Sequence, residues 1–429
     1  FTLLAYAGRQ VPVYPMDCAA SWQAMPEAVT FLSFLLNPLF TWSVGLMCLV
    51  LLWAWRALER GSLKAATLAG LLLLVLGNIH TYDVFAVHAA ILLWAAVLVL
   101  RRNTGLARAV GLYGVMWLIG APSLLWAWYV SGADPSYLTK ISTPTLSPRP
   151  VDYAAGYGLL GLAAVLGMLT AWVLRPRHPR SLAMVGWAMA TLVLVYAPVS
   201  FQRKMAEGLH LSLSYLAALA LGVALPWLVE RRPSRLFSPN QRLARRRRLI
   251  LIGGTVFVLL SLPSNVVFVY DSMQHVAVNY ADLRHVLMPP VYLTVDEVRG
   301  LQWLARHAQS GDVVMSSSLI GNHLPAWCRA KVVVGHWAET LDFPRAVRQV
   351  ATFYAPGLLP QARASILHNV GATYVWWGQY ERLIQRSMLA VAQEAVGGPV
   401  PFPDSPARDF PTLRPVFVSG DVIIYRVTH

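Results

Sequence analysis

In a chain with few charged residues, three short stretches carry groups able to do chemistry. APVSFQRKMAEGLHLSLS (197–214) sets Arg203 and Lys204 side by side between two long apolar runs. A guanidinium and an ammonium together can hold a phosphate through charge-assisted hydrogen bonds, and an anionic lipid headgroup supplies such a phosphate. Snorkelling of both cations to bulk headgroups is the competing reading. His210 lies about two helical turns past Arg203 and can share its face, or serve as a hydrogen-bonded packing residue. GNIHTYDVFAVH (77–88) places His80 and Asp83 where two runs meet, with His88 inside the second run. A carboxylate beside an imidazole accepts and donates protons, and ionisable groups at membrane depth mark function when they face the protein interior. The alternative is Asp83 as a helix cap beside a satisfied His80. VVVGHWAETLDFPRA (332–346) puts His336, Glu339 and Asp342 just past a strand end, where α/β sheets bind ligands in a cleft. A structured loop with a helix cap is the plainer reading there. His336 and Glu339 offer two metal-ligand types without a third, so no metal site is assigned. A divalent cation is the one cofactor left open.

The elements that must position these groups follow from composition. The chain has 429 residues, is 56% hydrophobic and only 13% charged, with a mean hydropathy of +0.51. A soluble chain carries about 25% charge, and runs of about twenty apolar residues explain the deficit, since that length crosses a bilayer core as a helix. About eight spans are expected, over 39–57, 64–80, 82–100, 107–130, 153–174, 181–200, 207–229 and 249–270. The net charge of +15 does not indicate nucleic acid, because the basic residues fall in short blocks between spans. Arg56, Arg60 and Lys64, then Arg101, Arg102 and Arg108, then Arg175, Arg177 and Arg180, and finally Arg231 to Arg248 fall on one side, which the positive-inside rule makes the cytoplasm. The His80–Asp83 turn, loop 131–152, the Arg203–Lys204 turn and everything after 271 then lie outside. Residues 26–38 are too short to span and fit an interfacial helix starting at Pro26.

Three divisions are therefore expected: an outer loop and interfacial helix (1–38), a transmembrane helical domain (39–271) and an extracytoplasmic α/β domain (272–429). In the last, Thr294 and Glu297 form a capping box. Strands are expected over 312–317, 331–335 and 372–378, a helix over 360–371 stopped by Gly371, and a hairpin over 414–427 with Ser419–Gly420 at its turn. Strands alternating with helices predict a partly parallel sheet. Cys18, Cys48 and Cys328 form neither a metal spacing nor a disulfide framework. The chain has no GxGxxG, GxxxxGK[ST], HExxH or GxSxG pattern, so nucleotide-driven pumping and serine hydrolysis have no machinery in it. Phe1–Ala7 reads as the end of a longer apolar segment.

The order FLLNPLF, HTYD, FQRK followed by GLH, VVVGHWAET and GATYVWWGQYER resembles bacterial polytopic glycosyltransferases of the GT-C class, akin to protein mannosyltransferases. The resemblance covers nearly the whole chain. It implies a transferase that takes a sugar from a polyprenyl-phosphate donor at the outer leaflet of the cell membrane and gives it to an exported protein or glycan acceptor. It implies that Arg203 and Lys204, helped by Gln202, hold the donor phosphate. In such enzymes an acid of the first outer loop acts as base on the acceptor, and that motif is expected upstream of Phe1. Asp17 and Asp83 are the acids left near the site, and Asp83 with His80 is taken as the catalytic pair. The family's HPYD turn has Thr81 in place of proline here. The partners implied are the lipid donor, the acceptor and membrane lipids. The rival functions are a lipid or small-solute transporter and a non-catalytic envelope-assembly protein.

Overall fold

Apolar runs leave their amides no water to bond within a bilayer, so they must pair along the chain as helices. The computed structural model describes residues 26–36, 38–134, 137, 144–173, 179–230, 238–278, 292–337, 339–396 and 413–428. Asp17, Cys18 and the basic residues Arg175, Arg177, Arg231, Arg232 and Arg235 lie outside the described residues. The chain divides into two units, one holding 141–269 and everything up to 134, the other holding 135–140 and everything from 270.

The first unit is helical. A 3-10 turn, Pro26–Ala28, precedes α1 (Thr30–Leu36). The helix thus starts later than the expected 26, since the Tyr157 hydroxyl donates to the Ala28 carbonyl (2.8 Å) and takes an acceptor the first helical turn would use. Then come α2 (Pro38–Arg60), α3 (Leu63–Ile79), α4 (Thr81–Leu100), α5 (Leu106–Ala133), α6 (Pro150–Val173) and α7 (Pro179–Leu194). A 3-10 turn, Gln202–Ala206, leads into α8 (Leu209–Leu219), a π turn (Ala220–Ala224) and α9 (Leu225–Glu230). Last is α10 (Pro239–Val278).

Five of these helical stretches, α2, α4, α5, α6 and Gln202–Leu228, are long and apolar enough to cross a membrane. Of the eight expected spans, these five are matched in length. Helices α3 and α7, with 17 and 16 residues, fall short, since 17 residues rise only about 25 Å against a hydrocarbon core of about 30 Å. The eighth lies within α10, a 40-residue helix that runs well past it at both ends. Its extension over 239–248 is rich in Arg, with Leu243, Ala244 and Gln241 among them, all good helix formers.

Packing follows the logic of a lipid solvent rather than of water. Leu118, Leu125, Leu162, Leu166, Leu169 and Trp172 stand exposed on the outside, while small residues line the crossings. Gly70 of α3 faces Ile119 of α5, and Gly120 of α5 faces Leu73 of α3. Gly167 of α6 lies against the backbone of Leu216 in α8. Met47, Leu51, Leu73, Ile91 and Trp94 fill the centre between α2, α3 and α4.

The second unit contains α11 (Val295–His307), β1 (Val313–Met315), α12 (Ser318–Gly321), α13 (Leu324–Trp327), β2 (Lys331–Val332), α14 (Phe343–Tyr354), α15 (Pro360–Val370), β3 (Tyr374–Trp377), α16 (Gln379–Val396), β4 (Leu413–Ser419) and β5 (Val422–Val427). The sheet order is β2-β1-β3-β5-β4, with β2, β1 and β3 parallel and β5 and β4 antiparallel. The partly parallel sheet and the hairpin are thus as the pattern predicts. The capping box is formed by Thr294 and Glu297 (2.8 and 3.3 Å), and Gly371 ends α15 in the left-handed region at φ 64°. The hairpin turn sits one residue later than expected, at Gly420–Asp421, because Ser419 pairs with Val422. Cys48 and Cys328 are free thiols.

Candidate functional site

Within the helical unit, the turn joining α3 to α4 meets the turn that precedes α8. His80 ends one helix and begins the next. Asp83 falls in the first turn of α4, where unpaired amides carry partial positive charge. Its side chain does not cap its own helix. Instead Ser43 of α2 donates its hydroxyl to Asp83 Oδ2, and His80 Nδ1 stands 2.9 Å from the same oxygen. Asp83 is fully buried, and its Oδ1 has no hydrogen-bond partner.

Glu207 completes the group. It is fully buried, and neither carboxylate oxygen has a hydrogen-bond partner within 3.5 Å. The Ser33 hydroxyl acts on it from farther off while donating to the Val29 carbonyl (3.2 Å). One ligand atom from each of His80, Asp83 and Glu207 lies within 4.8 Å of the other two, and among the described residues no other His, Cys, Asp and Glu side chains come together in this way. Glu27, also buried, has an unpartnered Oε2, and its charge acts on Glu207. A buried carboxylate without partners costs several kcal/mol even after relaxation, so Glu207, with neither oxygen bonded, and the free Oδ1 of Asp83 call for compensation.

The local fold explains how the second turn is held. Gly208 adopts φ 78°, and a Cβ there would run into Trp187 and Met47, so glycine alone fits. Segment 144–149 is pinned to the turn by Thr145 N to Ser200 O (2.6 Å) and Arg203 N to Thr145 O (3.1 Å). Gln202 does the same with its carboxamide: Oε1 accepts from Ser147 N (3.2 Å) and Nε2 donates to Ala197 O (2.7 Å). Arg149 closes onto Asp152 with Nε and Nη2 at 3.1 and 3.2 Å, fixing the start of α6.

The two cations part company. Lys204 Nζ lies 5.2 Å from the centre of the Tyr82 ring, and its charge acts on Glu207. Arg203 lies near the Tyr153 phenol, and its buried Nε has no hydrogen-bond partner. Both are half-buried rather than splayed into solvent. Of the other expected site residues, Gln202 is committed to backbone groups and so works as a staple. His210 pairs through Nδ1 with Thr30 Oγ1 (3.2 Å) and stacks on Tyr157, which makes it a packing residue between α1 and α8. His88 pairs with the Tyr113 hydroxyl (3.1 Å).

In the second unit, His336, Glu339 and Asp342 are exposed on the loop after β2. Thr340 braces that loop by accepting from Gly335 N (3.0 Å). Asp342 precedes α14 at φ 46° and makes no cap bond, so the loop lacks the expected helix cap. A cavity of about 180 Å³ nearby is lined by Ser317, Ser318, Val334, Val350, Ile384 and Met388, and by none of those three.

Sequence reasoning passed over Glu27 and Glu207. Each is an isolated acid beside an apolar run, and Glu207 stands three residues past Lys204. Compared with known proteins, the chain matches no protein-family model and no curated protein. The geometry by itself offers a buried acid–histidine group able to move a proton or hold a cation, with a lysine beside it able to meet an anion.

Proposed function

We propose that this chain is a membrane glycosyltransferase that moves a sugar from a polyprenyl-phosphate donor to an exported protein or glycan at the outer leaflet. In this reading the chain crosses the membrane eight times and its α/β domain is extracytoplasmic. The observation that carries it is the meeting of Lys204 with Asp83, His80 and Glu207 beside long apolar helices. The basic blocks Arg56–Lys64 and Arg101–Arg108 lie at the opposite helix ends in sequence, which makes this the outer end.

The chemistry needs two services. A base takes the proton of the acceptor hydroxyl as its oxygen attacks the anomeric carbon, and Asp83, oriented by Ser43 and His80, has the groups for that task. The bond from that carbon to the phosphate oxygen breaks, and the electron pair stays on the polyprenyl phosphate. Lys204 and Arg203 stabilise the charge that develops there, which lowers the barrier because the interaction strengthens toward the transition state.

The test is full-length protein in proteoliposomes given a panel of labelled polyprenyl-phosphate hexoses and an acceptor extract. Label passing to acceptor, and failing to pass in Asp83→Asn, supports the reading. Binding of the donor without transfer of any hexose overturns it. A transporter is the second reading, since a fully buried Glu207 beside a His–Asp pair also suits a proton relay; substrate uptake without sugar transfer would favour it.

A further inference from the structure

We infer that His80, Asp83 and Glu207 form a divalent-cation site. Three facts about unsatisfied atoms point there. Both oxygens of the fully buried Glu207 and Oδ1 of the fully buried Asp83 lack hydrogen-bond partners. Glu27, on a separate turn and itself buried, adds another unpartnered oxygen whose charge acts on Glu207. Lys204 is the neighbouring cation, and among the described residues no side chain bonds these oxygens. A divalent ion supplies the missing partners at once.

The ligand set names the class of ion. One imidazole nitrogen with carboxylate oxygens suits Mn²⁺ or Zn²⁺ better than Ca²⁺, which takes six to eight oxygens. Three atoms within 4.8 Å of one another lie within about 2.8 Å of a common centre, so each needs an inward shift of at most about 0.7 Å to make bonds of ~2.1 Å. Three protein ligands leave open positions, as catalytic rather than structural sites do. Ser43 orients Asp83 from behind, the supporting contact that ligating carboxylates require.

The site stands on this geometry alone. The ion's task in catalysis, to meet the donor phosphate together with Lys204, rests on the transferase reading. The experiment uses full-length protein in detergent, stripped with chelator and titrated with Mn²⁺, bound ion being read from loss of the free-ion paramagnetic resonance signal, with Zn²⁺ as competitor. Wild type is expected to take up one ion per chain, Glu207→Gln to bind about 100-fold more weakly, Ser43→Ala about tenfold more weakly, and Glu59→Gln, far along α2, to match wild type. Absence of uptake by wild type, or uptake by Glu207→Gln equal to wild type, overturns the site. If Glu207→Gln does not fold, Ser43→Ala decides: weakened binding supports the site and unchanged binding overturns it. Ion uptake without sugar transfer would remove the transferase reading and keep the site; transfer in chelator by a protein that binds no ion would do the reverse.

Discussion

Lys204 holds its ammonium 5.2 Å from the centre of the Tyr82 ring. Tyr82 lies between His80 and Asp83 in sequence, and its ring also meets Phe201 at 4.9 Å and the edge of His80 at 5.5 Å. The HTYD turn and the FQRK turn are therefore one aromatic assembly with a cation on it. A cation over an aromatic face gains about 0.5–2 kcal/mol, more where water is excluded. Tyr82→Phe keeps the face and should retain more thermal stability and donor binding than Tyr82→Ala. Tyr82→Ala should lower both, and equal behaviour of the two variants would show that the ring does not position Lys204.

The paired variant Arg203→Ala with Lys204→Ala should weaken binding of polyprenyl phosphate about 10- to 100-fold, a loss of roughly 1.4 to 2.8 kcal/mol. Expression should be kept, because Gln202 and the Arg203 backbone, not the two charged ends, staple the turn. Lipid affinity measured in nanodiscs checks this. Unchanged affinity would remove the phosphate role.

Much of this arrangement is legible in the sequence, and the exceptions have physical causes. The HTYD and FQRK turns fall between apolar runs, and alternation of basic and non-basic connections assigns them to one side, so their meeting could be anticipated. The strands and the capping box announce themselves by residue type, since Val-rich runs and a Thr–x–x–Glu pattern each have one cheap local solution. Glu207 could not be weighted correctly, because its importance lies in what is missing around it: burial and unpartnered oxygens are properties of the packed state. Gln202 shows the converse: its amide suits a phosphate, and only the fold reveals that Ser147 bonds its oxygen and Ala197 takes one of its N–H groups. Helix α7 ends at Leu194, short of the expected 200, where the Ala197 and Ser200 carbonyls instead accept from Gln202 and Thr145.

Close helix packing gives a sharper test. A Cβ on Gly167 would sit 1.8 Å from the Leu216 carbonyl oxygen, so even Gly167→Ala must push α6 from α8. Overpacking of this kind costs about 1–3 kcal/mol, and melting in detergent should fall accordingly. Gly111→Ala, with nothing within 4 Å, gains helix propensity and should melt no lower than wild type.

In the second unit Glu381 is fully buried and accepts from Ser317 N (2.7 Å) and Gly378 N (3.0 Å). Burial raises its carboxyl above the usual 4.5, against the lowering effect of those bonds. The folded state therefore holds a proton that the unfolded state has released. Stability of this unit should fall as pH rises from 4.5 toward the raised folded value, and level off above it. Glu381→Gln should flatten that slope while lowering stability throughout, since an amide cannot accept from both N–H groups. Hydrogen exchange at Ser317 and Gly378, corrected for the intrinsic rate, follows the effect. A slope retained in the variant would assign it to another group.

Membrane orientation can be decided independently of chemistry. Helix α10 begins in a cluster that includes Arg242 and Arg245 to Arg248 and continues into a strongly apolar stretch with Leu251, Val256, Leu259 and Leu260 exposed along it. Each arginine at the bilayer centre costs about 2.5–3.5 kcal/mol on insertion scales, so on the proposed topology the cluster is expected in water and the apolar stretch in the membrane. If positive charge is retained on the cytoplasmic side, the end of α10 and the α/β unit after it are expected outside. Alkaline phosphatase fused after His429 should be active, and green fluorescent protein fused there should be dark. The same pair fused after Arg102 should behave in the opposite way. Fluorescence at the C-terminal fusion would invert the orientation, bring the Lys204–Glu207 turn to the cytoplasmic face, and force the donor to be sought in the inner leaflet.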